Sequence, residues 1–242
     1  MSVSAEEVAG ELRSIARSAT NSLGYFPALY SHVTDRVSAG ITAHTFDDPA
    51  RMDRFISAFA GHYLGAVQDP AGRARCWQAC WDVADNNALL IVQHLLLGIN
   101  AHVNYDLAQT VASVGSSSGN FDAVRRDFDA VNDILASTMT DVLRELDQVS
   151  RWTNTIASLG GGKLFNFSLR EARAQAWRAG IRLAKLDAAA QGDYLRELDG
   201  LVATLAYLVT RPGFPVSLAV PIARRLENRD PKAVTTALLA GH

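Results

Sequence analysis

The chain lacks most features that mark a secreted, membrane-spanning or nucleic-acid-binding protein. Its 242 residues include only two cysteines, Cys76 and Cys80, so a disulfide framework is excluded. The net charge of −2 and the scattered basic residues provide no basic stripe for nucleic acid. The longest nearly apolar run, Ala88 to Ile99, is too short to cross a bilayer. The N-terminus lacks the pattern of a secretion signal, and we expect a cytoplasmic protein without a membrane partner.

Strand patterns and fixed repeats are also missing, which disfavours a sheet or a solenoid. Helix signals are frequent instead. Ser4 with Glu7 has the spacing of a capping box, and Asp48 before Pro49 is typical of a helix start. The sequence therefore predicts a single all-α domain over residues 1–242, a bundle of about eight to ten helices around a buried central helix. The composition is compatible with a homodimer.

Two local features predict further details. The glycine run Gly160–Gly162 lacks the spacing of a phosphate loop, so we interpret it as a hinge or surface loop. Ser168 and Glu171 then predict the start of the next helix. His32 lies off the apolar stripe of its own predicted helix, which predicts an exposed side chain.

The stretch Ala88–Ala112 is apolar enough to be the central helix, and it carries an unusual set of polar side chains. They are His94, Asn100, His102, Asn104 and Asp106. A buried polar group without a hydrogen bond costs about 1–3 kcal/mol, and packing alone seldom calls for so many in one helix. The stretch therefore indicates a functional pocket.

His102 and Asp106 are four residues apart and therefore stack on adjacent helical turns. An aspartate in that position orients the imidazole and tunes its basicity, which suits general acid–base catalysis. The same pair also suits two ligands of a metal ion. Catalytic zinc normally takes three protein ligands, and no second helical pair is present, so we expect function without a metal or another cofactor.

The string GINAHVNYDL at Gly98–Leu107 resembles the hallmark of an uncharacterised, largely actinobacterial family of helical domains of unknown function. The resemblance extends to Phe46–Pro49, Asp127–Leu135 and Glu171–Trp177. It implies an all-helical fold and a shared set of polar positions: Asn100, His102, Asn104, Asp106, Asp127 and Asn132. His-x-x-x-Asp is also similar to part of the zinc-dependent phospholipase C and nuclease superfamily, whose sites need several such pairs.

We therefore expect an enzyme that acts on a small, partly apolar molecule, with His102 and Asp106 as the catalytic pair. The reaction would be cyclisation, elimination, isomerisation or hydrolysis, for example in natural-product biosynthesis; no nucleophile motif points to covalent catalysis. A metal-dependent hydrolase and a non-catalytic binding or interaction protein are the alternatives. The candidate substrate-binding residues are His94, Asn100, Asn104, Tyr105, Asp127, Asn132, Tyr63, Trp77 and Trp81.

Overall fold

The structure is a computed structural model that describes residues 4–150, 161–214 and 216–240. Within these ranges it contains helices and no strand, apart from one bridge pair between Ser150 and Glu227, which confirms the predicted all-α fold. The helices are α1 (Ala5–Ser18), α2 (Tyr25–Thr42), α3 (Pro49–Gln68), α4 (Arg75–Asp82), α5 (Ile91–Ala101), α6 (Leu107–Ser118), α7 (Phe121–Val149), α8 (Gly161–Ala184), α9 (Ala188–Thr210), α10 (Val216–Arg224) and α11 (Pro231–Leu239).

Helices α1 and α3 begin as the capping signals predict. The Ser4 hydroxyl accepts from the Glu7 amide at 3.2 Å, and the Glu7 carboxylate accepts from the Ser4 amide at 2.7 Å. Asp48 accepts from the Arg51 amide at 2.9 Å, and Pro49 is the first residue of α3. These bonds satisfy amides that a helix start leaves without intrahelical partners.

The central helix is α5 continued into α6 through one wide turn, the π turn, formed by His102–Asp106. The Leu107 amide donates to the His102 carbonyl five residues earlier, which is the hydrogen bond that defines a π-helix. The predicted bounds were wrong at both ends. The helix begins at Ile91, after the turns around Asn86, and ends at Ser118, where Gly119 caps it with a left-handed φ of 64°.

Helices α2, α3, α4, α8 and α9 pack around the central helix and bury it. At Gly98 the backbone of the central helix lies directly against the Phe26 ring of α2. A Cβ at this position would lie 2.4 Å from Cγ of Phe26, so only glycine lets the Phe26 ring rest on the helix backbone. Gly180 plays the same part between α8 and α6, where a Cβ would lie 2.6 Å from Val111. The core on both sides of the central helix is therefore tightly packed.

Two local predictions were wrong. His32 is buried, with 5% of its surface exposed, because its ring reaches across to hydrogen-bond the Leu238 carbonyl of α11. Helix α8 begins at Gly161, before Ser168, so Gly161 and Gly162 are helical and form no loop. Gly160 lies outside the described residues.

One surface is unusually apolar. It is formed by large side chains of α9 and of the segment through α10, all between 45% and 82% exposed: Leu201, Leu205, Tyr207, Leu208, Phe214, Leu218, Ile222 and Leu226. None of the helices in the described ranges combines the length and hydropathy needed to cross a membrane.

Candidate functional site

The π turn brings His102 and Asp106 into a buried hydrogen-bonded pair. Nδ1 of His102 lies 2.9 Å from Oδ2 of Asp106, and the two residues are 3% and 2% exposed. Nε1 of Trp77, on α4, donates to both carboxylate oxygens at 3.0 and 3.2 Å. The carboxyl group of Asp106 is therefore held between an imidazole and an indole, away from water.

Aromatic rings enclose the imidazole of His102. The ring of Phe59 stacks on it with centroids 3.6 Å apart, and the ring of Tyr30 meets it edge-on at 4.5 Å. Phe26 lies 5.5 Å away and Trp77 6.2 Å away, both measured between centroids. These contacts leave the imidazole little freedom to rotate and fix the direction of its Nε2 edge.

Burial disfavours charge on both members of the pair. It lowers the pKa of His102 well below the usual 6.5, with a smaller contribution from the nearby His62 charge. It raises the pKa of Asp106 well above its usual range, and the hydrogen bond from Trp77 opposes that rise. Burial thus favours the uncharged form of each group; with both groups neutral, the Asp106 carboxyl would donate to Nδ1 and Nε2 would carry the ring proton.

His102 helps to line a cavity of about 80 Å³, the larger of two cavities that share Phe26 as a lining residue. It is roughly half the size of the engineered cavity that binds benzene, so it suits a molecule of a few non-hydrogen atoms or the end of a longer chain. Its wall is almost entirely apolar. The lining comprises Phe26, Leu29, Tyr30, Val33, Thr34, Val37, Met52, Phe55, Ile56, Phe59, Ile99, His102, Val103, Phe128, Val131, Leu135, Leu169 and Arg173.

Two polar atoms of residues that line this cavity have no hydrogen-bond partner among the described residues. They are Nε2 of His102 and the hydroxyl of Tyr30, and both are shielded from solvent. Burial, with a contribution from Asp106, raises the pKa of Tyr30 well above 10, so its hydroxyl stays protonated. Leaving a buried polar group unpaired costs about 1–3 kcal/mol, and a small polar ligand in the cavity would recover that cost.

Arg173 reaches the same cavity from α8. Its side chain is buried, and its guanidinium lies 4.1 Å from the centre of the Phe128 ring. Nε donates to Oδ1 of Asn132 at 2.8 Å, and Nη2 donates to the Phe128 carbonyl at 2.6 Å. Burial lowers the pKa of Arg173 to about 9, so the group remains a cation at neutral pH.

His94 lines a second, smaller cavity of about 20 Å³. Its Nδ1 lies 2.9 Å from the Ser22 hydroxyl, and burial lowers its pKa to about 4. Tyr63, Trp77 and Trp81 line this second cavity and do not line the larger one. Tyr105 lines neither cavity and is half-buried.

Asn100 and Asn104 connect the central helix to α9. Asn104 donates to the side-chain oxygen of Asn100 at 3.0 Å, and Asn100 donates to the Val202 carbonyl at 2.9 Å. Both amides therefore have protein partners. These contacts favour a role in bracing the site over the predicted role in binding substrate.

Asp127 and Asn132 of α7 also have protein partners. Asp127 accepts from the Asp47 amide at 2.7 Å and forms an ion pair with Arg51 of α3. Asn132 holds Arg173, as described above. Asp127 thus connects the loop before α3 to α7. Asn132 does not line the larger cavity itself but contacts Arg173, which does.

Sequence reasoning did not single out Tyr30 or Arg173 as site residues. Tyr30 shares the helical spacing of Phe26, Val33 and Val37 in α2, which by itself indicates no more than one face of a helix. Arg173 falls within Glu171–Trp177, a segment that the family resemblance did include. Its burial is the missed signal, because a buried arginine normally requires a partner.

No three His, Cys, Asp or Glu side chains within the described ranges converge in a way that could hold a metal ion. His102 and Asp106 therefore lack a third ligand there. Function without a metal remains a prediction.

Comparisons with known proteins give one match. No curated protein and no solved structure matches the chain. The model of a family described as a family of unknown function, DUF5995, matches residues 5–212. The match covers the described helices from α1 to α9, including the π turn and both cavities, and it confirms the expected kind of family. The chain belongs to this family of unknown function, DUF5995.

Proposed function

We propose that the protein is an enzyme that moves protons on a small, largely apolar molecule held in the larger cavity. One observation carries the proposal: Nε2 of His102 and the Tyr30 hydroxyl are both buried and unpartnered among the described residues, and both residues line that cavity. A residue that served packing alone would be expected to have its polar atoms paired.

The His102–Asp106 pair suits a neutral proton relay. Nε2–H gives its proton to a carbonyl oxygen of the substrate, while the Asp106 proton moves to Nδ1 and leaves a carboxylate. The bare Nε2 then takes a proton from the carbon next to that carbonyl, and Nδ1 returns its proton to Asp106. The result is an enol, with every proton accounted for and no imidazolium formed.

Two neighbours support this cycle. Trp77 donates to both oxygens of Asp106 and so stabilises the transient carboxylate. Tyr30 keeps its proton because its pKa is raised, and its hydroxyl can donate to the substrate oxygen. Isomerisation or elimination next to a carbonyl, two of the four reaction types expected from the sequence, would both begin with this step.

The test uses 2-butanone, whose size suits the cavity, in buffered D₂O. We expect the protein to accelerate exchange of the protons beside the carbonyl by about 10²-fold or more, the usual range for one acid–base group. His102→Gln should abolish the acceleration. Trp77→Phe should reduce it, whereas Trp81→Phe, which changes the neighbouring half-buried tryptophan, should not.

Binding without exchange would overturn the catalytic role and leave a small-molecule-binding protein. Binding is read from the ¹⁵N signals of the His102 ring during titration with 2-butanone. If those signals do not move with 2-butanone or with other small ketones, the site is a structural brace. Elemental analysis of protein purified without chelator tests metal independence, for which we expect well under one equivalent of transition metal.

We further propose a cytoplasmic location, supported by the two free thiols, Cys76 and Cys80. A homodimer and a role in natural-product biosynthesis remain predictions from the sequence.

A further inference from the structure

Arg173 is a buried cation without a carboxylate partner in the described part of the chain. The ion pairs there include none with its guanidinium. Among the described residues its hydrogen bonds go to two neutral oxygens, one of Asn132 and one of the Phe128 carbonyl, and none of these bonds involves Nη1. A buried charge normally has a counter-ion, because taking it out of water costs several kcal/mol.

Three aspartates of α7 do not fill this role, since each pairs with a different arginine. Asp127 pairs with Arg51, Asp129 with Arg125 at 2.6 Å, and Asp133 with Arg170 at 2.9 Å. Asp129 and Arg125 act on the pKa of Arg173 in opposite directions, and burial remains the largest influence. The Phe128 ring supplies some cation–π stabilisation, which is about 0.5–2 kcal/mol in general.

The side chain that accepts from Nε of Arg173, Asn132, carries no charge. It occupies the position from which a carboxylate would neutralise Arg173, and it is the uncharged isostere of aspartate. The protein thus keeps a cation at the wall of an apolar cavity and pairs it with an amide. This arrangement leaves the positive charge available to a molecule that enters the cavity.

From this geometry we infer that the molecule bound in the larger cavity is an aliphatic carboxylate, with its acid group paired to Arg173 and its chain among the apolar side chains. The inference rests on the proposed function for the reacting group: a carbonyl on the same molecule would meet His102 and Tyr30. The substrate class is therefore a short aliphatic oxo acid, or a longer one whose remainder leaves the cavity.

The test compares 3-methylbutanoate with 3-methylbutanamide, which have nearly the same shape and differ in charge. Calorimetry on the wild-type chain should give at least about tenfold tighter binding of the carboxylate. Asn132→Asp supplies an internal counter-ion to Arg173 with little change in shape. We expect it to remain folded and to reduce the preference for the carboxylate at least about tenfold, while amide binding stays within about twofold.

Arg173→Gln should remove the preference, and Arg170→Gln, which alters an exposed arginine one turn earlier on α8, should keep it. If Arg173→Gln does not fold, Asn132→Asp still decides the question. Equal binding of acid and amide to the wild type, or an unchanged preference in Asn132→Asp, would overturn the inference.

His102→Gln separates this inference from the proposed function. It should keep the preference for the carboxylate while losing proton exchange on 2-butanone. A carboxylate preference without any exchange would refute the proposed chemistry and leave the anion site standing. Exchange on 2-butanone without a carboxylate preference would refute the anion site and leave the proposed chemistry standing.

Discussion

His102 and Phe59 lie face to face, with ring centroids 3.6 Å apart and planes inclined by 11°. This stack covers one face of the imidazole, while Asp106 holds Nδ1. The orientation of the ring is thereby fixed, and its Nε2 has no hydrogen-bond partner in the part of the chain that the structure describes. Phe59 consequently acts as a positioning residue for His102.

Replacing Phe59 by leucine should lower the free energy of unfolding by about 1 kcal/mol, because ring stacking is lost while most of the volume is kept. Urea denaturation measures this change. Phe55→Leu is the matched control, since the Phe55 ring packs on Phe59 and Phe128. Only Phe59→Leu should shift the His102 ring signals in NMR spectra; equal shifts in both variants would contradict the positioning role.

Asp127→Asn should destabilise the protein by about 2–4 kcal/mol, because it removes the charge that compensates the nearly buried Arg51. Asp129→Asn, in an ion pair whose side chains are 36% and 45% exposed, should change stability by less than about 1 kcal/mol. Thermal unfolding compares the two variants. If Asp127 braces the fold, Asp127→Asn keeps the affinity for 3-methylbutanoate. A stable variant that no longer binds would instead identify Asp127 as a ligand-binding residue.

Gly98→Ala should cost about 1–3 kcal/mol, since the new Cβ would lie 2.4 Å from Phe26 and the ring must move. Gly61→Ala is the control, because no other group lies within 4 Å of its new Cβ on the exposed side of α3. That substitution should stabilise the chain by about 0.5–1 kcal/mol through helix propensity. Chemical denaturation should thus give changes of opposite sign, and the same sign in both would argue against the close approach.

His94 should make the fold sensitive to mild acid. Its pKa is about 4 when folded and near 6.5 when unfolded, so the unfolded chain binds more protons between these values. Stability therefore falls as pH drops from 6.5 towards 4, by up to roughly 3 kcal/mol. Asp106, whose pKa is raised, acts in the opposite direction, because the folded state then binds more protons.

His94→Gln isolates this contribution, since Asp106 is present in both proteins and the glutamine can still meet Ser22. Urea denaturation at pH 6.5 and pH 4.5 should show a smaller loss of stability in the variant. Parallel losses in the two proteins would rule out His94 as the source.

The fold and the contact between His102 and Asp106 could be predicted because their signals are local. The capping box at Ser4 and the Asp48 cap depend on residues within one turn, and their bonds form as expected. The spacing of His102 and Asp106 likewise determines their contact on any helix. The buried position of His32 could not be predicted in this way, because its partner is a carbonyl 206 residues away.

The remainder of the site depends on which helices meet. In the sequence, Tyr30 is one of several apolar residues on one face of α2. Only the packing of α2 shows that its ring lies beside His102. In the sequence, Arg173 looks like any arginine of a helix. The structure shows that packing of α8 against α7 buries its side chain. The π turn has no local signature that the sequence pattern revealed. The bounds of the central helix differ from the predicted ones because of the turns around Asn86 and the cap at Gly119.

The π turn makes the site depend on an exact chain length. It accommodates one residue more than a regular helix would need. Loss of one residue between His102 and Asp106 would let the backbone close into an ordinary helix, but it would rotate one side against the other by about 100°. Asp106 would then turn away from either His102 or Trp77. A relative of this chain shortened by one residue here would keep a sound helix and lose this arrangement of side chains, so alignment gaps at this turn would separate members that keep it from members that do not.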